Sequence, residues 1–297
     1  MPAVVRGLAP GVLAALVVVS QPPARAQTRA PDAPVGMASR AEAGSGSVGA
    51  AGSVSGRPAR RTLTLVLDPG HGGSETGAEG KTGVFEKDIT LDVARRLKSL
   101  LAGEPGLEVL LTREEDEDVA LDDRTALANQ KHADLFLSIH VNASPRRDAR
   151  GAETYFLSRQ AKDEEVRTLA ALENNAADVD RERLGEAPEG LELVLWDLAQ
   201  SQYLQESAEL AVAIQEQLNE ALGLKDRGVK QAPFRVLMGA TMPAVLVEVG
   251  FISNPAEEAV LGTGEYRDKI AQALARALVT FVSDAKRRLA GAPTRSR

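Results

Sequence analysis

The hydrophobic and polar positions after residue 61 form short apolar runs separated by helical patterns. Apolar runs of five to eight residues, rich in Leu, Val and Ile, predict buried β-strands. These predicted strands are Thr62–Leu67, Leu107–Thr112, Asp134–Val141, Ala152–Leu157, Phe234–Met238 and Ala244–Val249.

Between the strands, apolar residues recur every three to four positions, which predicts amphipathic helices. Asp88 is a residue type that caps helices, and Ile89, Val93 and Leu97 then share one face. Further helices are predicted at Leu121–Gln130, Asp163–Asn175, Gln202–Leu222 and from Tyr266 to about Leu289, and Leu191–Gln200 is amphipathic. Strands that alternate with helical crossovers predict an α/β fold. We expect a mainly parallel or mixed twisted sheet with helices on both faces.

The first 26 residues have the order of a secretion signal. Arg6 provides a basic start, Leu8–Val19 is apolar, and Ala24–Ala26 has the small-x-small pattern of a cleavage site. The alternative is a membrane anchor, but the apolar run is well short of the roughly 20 residues that span a bilayer. We therefore predict that residues 1–26 are removed on export and that the mature chain has no membrane span.

Two further segments differ in composition from the part predicted to fold. Residues 27–61 are rich in Ala, Gly, Ser, Pro and Arg and predict a disordered linker, and residues 286–297 form a basic tail. Because signal, linker and tail together carry a net +10, the −7 of the whole chain leaves −17 for residues 62–285. This acidity and the 3% of aromatic residues argue against a nucleic-acid partner. The absence of Cys excludes disulfides and thiolate chemistry.

Chemically versatile residues stand at the carboxyl ends of three predicted strands, the edge where α/β sheets gather their chemistry. His71 lies in a glycine-rich turn after the first strand, His140 is near the end of the third, and Glu248 is near the end of the last. Glu86 stands at the start of the first helix. Two imidazoles and one carboxylate suit zinc and leave a position open, and Glu248 could then accept a proton from water. Taken singly, each residue also has a structural explanation, such as an ion pair or an anion at a helix N-terminus.

The order of the motifs resembles that of the zinc-dependent N-acetylmuramoyl-L-alanine amidases of bacterial cell walls. The motifs are LDPGHGG, then DLFLSIHVNAS, then PAVLVEVGFISNPAEE, and the resemblance covers roughly residues 62–285 as one catalytic domain. It implies that His71, Glu86 and His140 bind one zinc ion and that Glu248 is catalytic. The implied reaction hydrolyses the amide between N-acetylmuramic acid and the L-alanine of the stem peptide. Peptidoglycan is the implied partner, and the periplasm is the implied location.

A segment of about forty residues, approximately 158–201, interrupts the α/β pattern. It resembles the extra segment of amidases that act in cell separation, in which a helix covers the active site until an activator displaces it. In those relatives a glutamate of that helix takes the open position of zinc, and Glu173 matches it here. The alternative is that Glu173 lies on a solvated helix face. The resemblance implies autoinhibition and a protein activator that docks on residues 158–201, where Leu193, Leu195 and Trp196 form either the dock or core packing.

Arg124 and Asn142 are the remaining candidates for the site. Arg124 is either a helix and loop stabiliser or a residue that supports the ligands or contacts substrate, and Asn142 follows His140 closely enough to line a cleft. His132 is predicted to be a surface residue. Two other functions stay open at this point: a zinc peptidase with a similar sheet, and a non-catalytic protein that binds the wall.

Overall fold

The computed structural model describes residues 62–174, 191–223 and 226–289, and the side chains of residues 191–202, 288 and 289 are not described. The predicted secretion signal 1–26, the linker 27–61 and the tail beyond residue 289 lie outside the described residues. So does the centre of the predicted insertion, residues 175–190.

Six strands form one sheet in the order β2-β1-β3-β6-β4-β5. The strands are β1 (Leu63–Pro69), β2 (Leu107–Leu111), β3 (Leu135–Asn142), β4 (Glu153–Leu157), β5 (Val229–Ala232) and β6 (Ala244–Phe251). The four strands from β2 to β6 run parallel, β4 is antiparallel to β6, and β5 is parallel to β4. The predicted mixed α/β sheet is confirmed.

Helices lie on both faces of this sheet. In the described part of the chain they are α1 (Glu86–Leu101), α2 (Leu121–Gln130), α3 (Glu164–Glu173), α4 (Leu191–Leu222), α5 (Pro255–Leu261) and α6 (Gly264–Leu289). Successive residues of a strand point to opposite faces, so Leu65 and Leu137 pack in the cluster with α1, α4 and α6. Val66 and Phe136 pack in the cluster with α3. No helix in the described ranges is both long and apolar enough to cross a bilayer.

The strand predicted at Phe234–Met238 is wrong. Arg235–Leu237 forms a short 3-10 helix, and the strand β5 lies earlier, at Val229–Ala232. The apolar residues that suggested a strand are buried because they pack against the α3 face of the sheet. The edge strand β5, with the sequence VKQA, lacks an apolar run and so gave no signal.

Two helix boundaries also differ from the predictions. Leu191–Gln200 and Gln202–Leu222 belong to one helix of 32 residues, α4. Helix α1 begins at Glu86 instead of after Asp88, so Asp88 lies in the first turn and does not cap it. An acidic residue is favourable there because it faces the positive end of the helix dipole. The earlier start makes Glu86 the first residue of α1 and so places it at the edge where β1 and β3 end.

Candidate metal centre and active site

The turn after β1 carries His71 in an unusual backbone conformation. Its φ of 58° lies in the left-handed region, which non-glycine residues rarely adopt. Arg124 donates to the carbonyl oxygens of Pro69 and His71 at 2.8 and 3.0 Å. Arg113 donates to those of Pro69 and Gly70 at 3.0 and 2.9 Å. Both guanidinium groups are buried, so they hold the carbonyls of this turn in place from inside the protein.

Asp68, the residue before the turn, anchors Arg124. Its carboxylate accepts hydrogen bonds from Arg124 at 2.8 Å, Thr112 at 2.6 Å and Ser138 at 2.7 Å. Burial alone would raise the pKa of Asp68, but the charge of Arg124 and these hydrogen bonds lower it below its usual value. Asp68 is therefore a buried carboxylate with every partner that its charge requires.

Glu86 is oriented by backbone groups from two directions. One carboxylate oxygen accepts from the amide of Val141 and the other from the amide of Ala78, both at 2.8 Å. Burial would raise the pKa of Glu86, but the neighbouring His71 and His140 hold it well below its usual range. The side chain is thus fixed and ionised between the two histidines.

Four side chains converge at this edge of the sheet. One nitrogen or oxygen atom from each of His71, Glu86, His140 and Glu173 lies within 4.8 Å of the others. Glu173 is the last residue of α3, and its Oε2 lies 2.8 Å from His140 Nδ1 and 3.2 Å from His71 Nε2. Glu86 lies 3.1 Å from His140 Nδ1 and 3.3 Å from His71 Nε2. The structure therefore brings the three predicted ligands and Glu173 together.

Two glycines make this convergence sterically feasible. A Cβ at position 70 would come within 2.5 Å of the His140 ring. A Cβ at position 77, where φ is +65°, would lie 2.6 Å from both Glu86 and His71. Side chains at these positions would displace the converging residues.

The four groups fit a cation. His71 Nε2 and Glu173 Oε2 are buried and have no hydrogen-bond partner in the described part of the chain, despite their short separation. Burial lowers the pKa values of the histidines, but Glu86 and Glu173 raise that of His71 to about 11 and that of His140 to about 9. A metal requires neutral imidazoles, so its binding would release these protons. Two histidine nitrogens with carboxylate oxygens form a donor set that suits zinc.

Glu248 lies on β6, the strand next to the one that carries His140. In the register of the sheet it is opposite His140 of β3 on one side and Glu153 of β4 on the other. It is completely buried, and neither carboxylate oxygen has a hydrogen-bond partner among the described residues. Burial and the charges of Glu173, Glu86 and Glu153 raise its pKa well above the usual value. Such a group is a candidate for proton transfer.

Glu153, the neighbour of Glu248, has the opposite surroundings. It is buried and accepts hydrogen bonds from Lys230 at 2.8 Å and from Arg227 and Tyr155. Asn142, a predicted site residue, lies with its Nδ2 3.5 Å from Glu153 and contributes no atom to the four-residue cluster.

Three residues that shape this site, Asp68, Arg113 and Glu153, are not among the predicted site residues. A carboxylate in a buried strand, the signal that singled out Glu248, was also present at Asp68 and Glu153. Arg113 gave no local signal because it follows a strand within a polar segment. The predicted candidate Arg124 lies against the turn that carries His71.

Of two cavities, only one adjoins the cluster of site residues. This cavity of about 420 Å³ is bounded by His71, Glu86 and Glu173 and by Leu169 and Leu172 of α3. A larger cavity of about 570 Å³ opens at the amino ends of the strands, against the exposed His132. We assign the chemistry to the smaller cavity because the converging donors lie there.

Comparison with known proteins gives one consistent result. Residues 65–280 match a family model described as N-acetylmuramoyl-L-alanine amidase. The chain is 38% identical over 218 residues to the N-acetylmuramoyl-L-alanine amidase AmiA of Escherichia coli, covering 73% of this chain and 75% of AmiA.

Solved structures with similar folds carry the same description. The catalytic domain of the amidase CwlV from Paenibacillus polymyxa is 29% identical with a TM-score of 0.56, covering 74% of this chain and 98% of that domain. The CwlD amidase of Clostridioides difficile, in complex with the GerS lipoprotein, is 27% identical with a TM-score of 0.56, covering 74% of this chain and 98% of CwlD.

Proposed function

The chain belongs to the N-acetylmuramoyl-L-alanine amidase family, and we propose that it is a secreted zinc hydrolase that its own helix α3 keeps inactive. The enzyme is an amidase that cleaves the bond between N-acetylmuramic acid and the L-alanine of peptidoglycan. This membership favours an amidase over a peptidase or a non-catalytic protein. The observation that carries the finer proposal is the convergence of His71, Glu86, His140 and Glu173.

His71, Glu86 and His140 are the proposed zinc ligands. They fit because their donor atoms already lie close together and are oriented by other groups. Two backbone amides hold Glu86, and two buried arginines hold the turn that carries His71. At such a site zinc supplies Lewis acidity, which polarises a carbonyl and lowers the pKa of a water to about 7.

Glu248 is the proposed proton carrier. One of its carboxylate oxygens accepts a proton from the attacking water and then delivers it to the leaving nitrogen of L-alanine. A carbon–oxygen bond forms, the carbon–nitrogen bond breaks, and the products are a lactyl carboxylate and a free amine. Burial and the surrounding carboxylates raise the pKa of Glu248, and a cation held by His71, Glu86 and His140 would lower it. Glu248 could then be ionised when the water arrives.

Glu173 is the proposed inhibitor. It approaches both histidines within 3.2 Å, so its carboxylate lies where a fourth ligand would be. A carboxylate there excludes the water on which hydrolysis depends. Leu169 and Leu172 of the same helix border the cavity at the site. We infer that activity requires displacement of α3.

A protein activator is the proposed cause of this displacement. The structural relative CwlD is described in complex with the GerS lipoprotein, which supports a partner for this enzyme as well. Leu172 on α3 is 59% exposed and offers an apolar contact within the predicted docking segment 158–201. Such a partner is expected to raise the activity of the wild type and to add nothing to a Glu173→Ala variant.

Export to the periplasm completes the proposal, since the substrate lies outside the cytoplasm. The supporting feature is the order of basic, apolar and small residues in 1–26. Expression in a Gram-negative host followed by amino-terminal sequencing tests it. The expected periplasmic product begins at Gln27, whereas a cytoplasmic chain that begins at Met1 would contradict export.

Digestion of purified peptidoglycan tests the catalytic proposal. The mature wild-type chain, Glu173→Ala, and Glu173→Ala combined with Glu248→Gln are each supplied with zinc. We expect Glu173→Ala to release stem peptides that begin with L-alanine, the wild type to release far fewer, and the double variant to release none. Metal content by mass spectrometry is expected to be one zinc per chain in both Glu173→Ala proteins.

Glu164→Ala is the matched control, because Glu164 lies on the same helix but is paired with the exposed Arg167. It is expected to behave like the wild type. If Glu173→Ala is as inactive as the wild type, the inhibitory role is wrong. If no variant releases L-alanine peptides with zinc present, the catalytic assignment of these residues fails.

A further inference from the structure

One buried carboxylate near the site is paired with two cations. Oε1 of Glu153 accepts from Lys230 at 2.8 Å and also from Arg227. Tyr155 donates to the other oxygen of Glu153. A single carboxylate balances one of the two cations, so Glu153, Arg227 and Lys230 together carry one surplus positive charge.

The surplus charge faces helix α3. Arg227 Nη2 lies 3.1 Å from Oε1 of Glu165 in the first turn of α3. Arg227 is held in place by Glu153 and by the ring of Phe251, whose centroid is 4.8 Å from its guanidinium carbon. Among the described residues Glu165 has no comparable second partner, and its side chain is 47% exposed. Arg227 is therefore held in place by Glu153 and Phe251, whereas a carboxylate of a ligand could take the place of Glu165.

A cavity adjoins Glu153 and Glu165, the two carboxylates that pair with Arg227. It measures about 270 Å³ and is bounded by Glu153, Tyr155 and Glu165. Leu169 and Leu172 border both this cavity and the 420 Å³ cavity at His71. The two cavities are therefore neighbours that share these α3 side chains.

Helix α3 places one carboxylate at each of the two cavities. Glu173 lies at the two histidines, and Glu165 lies at Arg227. The two glutamates are eight residues apart, which is about 12 Å along a helix. An extended peptide covers about 3.3 Å per residue, so the same span corresponds to three or four residues of a bound peptide.

We propose that Arg227 binds a free carboxylate of the stem peptide and that α3 imitates the substrate, with Glu165 at the position of that carboxylate and Glu173 at the position of the scissile group. The inference rests on the proposed function, which supplies the scissile position. Stem peptides of peptidoglycan carry free carboxylates along their length. The planar guanidinium of Arg227, which Glu153 and Phe251 hold in place, suits such a carboxylate because a guanidinium can form two parallel hydrogen bonds with it.

Binding of two matched peptides to the mature Glu173→Ala chain tests the proposal without turnover. The probes are the tripeptide released from N-acetylmuramoyl-tripeptide, with a free carboxylate on its third residue, and the same tripeptide with a carboxamide there. In calorimetry the carboxylate form is expected to bind about tenfold more tightly, the advantage of one charged hydrogen-bond partner. Adding Arg227→Gln is expected to remove this difference. Arg227→Lys keeps the charge beside Glu153 and is expected to retain part of the tenfold difference between the two peptides. Partial retention would show that the loss in Arg227→Gln does not come from misfolding.

Two glutamates of α3 provide a matched pair of variants. Glu165→Gln frees Arg227 and is expected to tighten binding of the carboxylate peptide about threefold, the size of an exposed ion pair. The carboxamide peptide should not respond. Glu164 also borders the 270 Å³ cavity but pairs with Arg167 instead of Arg227, so Glu164→Gln is expected to affect neither peptide. If Glu165→Gln strengthens both peptides equally, it merely loosens the helix, and the substrate-like role of Glu165 is wrong.

Hydrolysis of the two parent N-acetylmuramoyl-tripeptides separates this inference from the function on which it rests. We expect Arg227→Gln to raise KM for the carboxylate substrate about tenfold with little change in kcat. If both substrates are hydrolysed equally well and neither responds to Arg227, the carboxylate site is wrong and the amidase proposal stands. If neither substrate is hydrolysed by Glu173→Ala, the proposed function fails and this inference fails with it.

Discussion

Glu153 on β4 and Glu248 on β6 lie directly opposite each other, and both are buried. Glu153 accepts hydrogen bonds from Arg227, Lys230 and Tyr155, whereas Glu248 has no partner in the described part of the chain. The two residues are similarly buried and face each other across neighbouring strands, so the main difference between them is in their hydrogen-bond partners. Glu153 has the contacts of a residue that stabilises the fold, whereas Glu248 has the unpaired burial expected of the proton carrier proposed above.

Replacing Glu248 by Gln is the sharpest test of this contrast. In the Glu173→Ala background, we expect peptidoglycan hydrolysis to fall by about a thousandfold because general acid–base transfer is lost. The free energy of unfolding is expected to stay the same or rise, since an unpaired buried acid is removed. Turnover and urea denaturation measure the two effects. A large loss of stability would show that Glu248 has a structural task.

The same substitution at Glu153 is expected to act in the opposite way. Glu153→Gln leaves Arg227 and Lys230 without their carboxylate, so the free energy of unfolding should fall by about 3 kcal/mol. Urea denaturation measures this loss, and the metal content should remain that of the parent. An unchanged urea midpoint would mean that these two buried acids do not differ as their contacts indicate.

Asp68 extends the comparison to pH, since it is another buried carboxylate with full pairing. Its pKa is lowered, so the stabilisation is present above the unfolded value of 3.8 and is lost as pH falls through the folded value. At about pH 6, we expect metal-free Asp68→Asn to be less stable than the wild type by about 2 kcal/mol. Thermal unfolding from about pH 6 to about pH 2 should show this gap closing below pH 3.8. A gap that stays constant would exclude Asp68 as its source.

The smallest effect is expected at an exposed carboxylate. Glu164 pairs with Arg167 one turn further along α3, and both side chains are exposed. Glu164→Gln should change the free energy of unfolding by less than about 0.5 kcal/mol in urea denaturation. A larger loss would mean that partners matter at the surface as much as they do in the interior.

Much of the sheet followed from the sequence because its central strands are continuous apolar runs. The predicted strand Asp134–Val141 corresponds closely to β3, and the helix predicted at Leu121–Gln130 is α2. The edge strand β5 was missed because three of its four residues, Val229–Gln231, are only half-buried and no apolar run marks it. The apolar residues around Arg235–Leu237 predict a strand, but they are buried for tertiary reasons and the segment forms a 3-10 helix.

The sequence predicts those site residues that stand at the end of a strand or within a recognisable motif. His71, His140 and Glu248 stand at strand ends, so the topology alone brings them to one edge. Their roles as ligands and as a base remain predictions. Arg113 could not be found in this way, because its partners in the turn are more than forty residues away and no local pattern encodes that pairing. Glu153 carried a readable signal, but its two cations come from a later segment of the chain.

The short connection between β4 and α3 has a consequence for how the enzyme responds to concentration. Only residues 158–163 separate the sheet from the helix that carries Glu173. A group on so short a tether has an effective local concentration in about the millimolar range or above, whatever the amount of enzyme present. If Glu173 inhibits the enzyme as proposed, dilution would not release it, and small wall fragments that bind weakly would not compete with it. Release would then require a long glycan that presents many stems at once, or a partner that binds the helix itself.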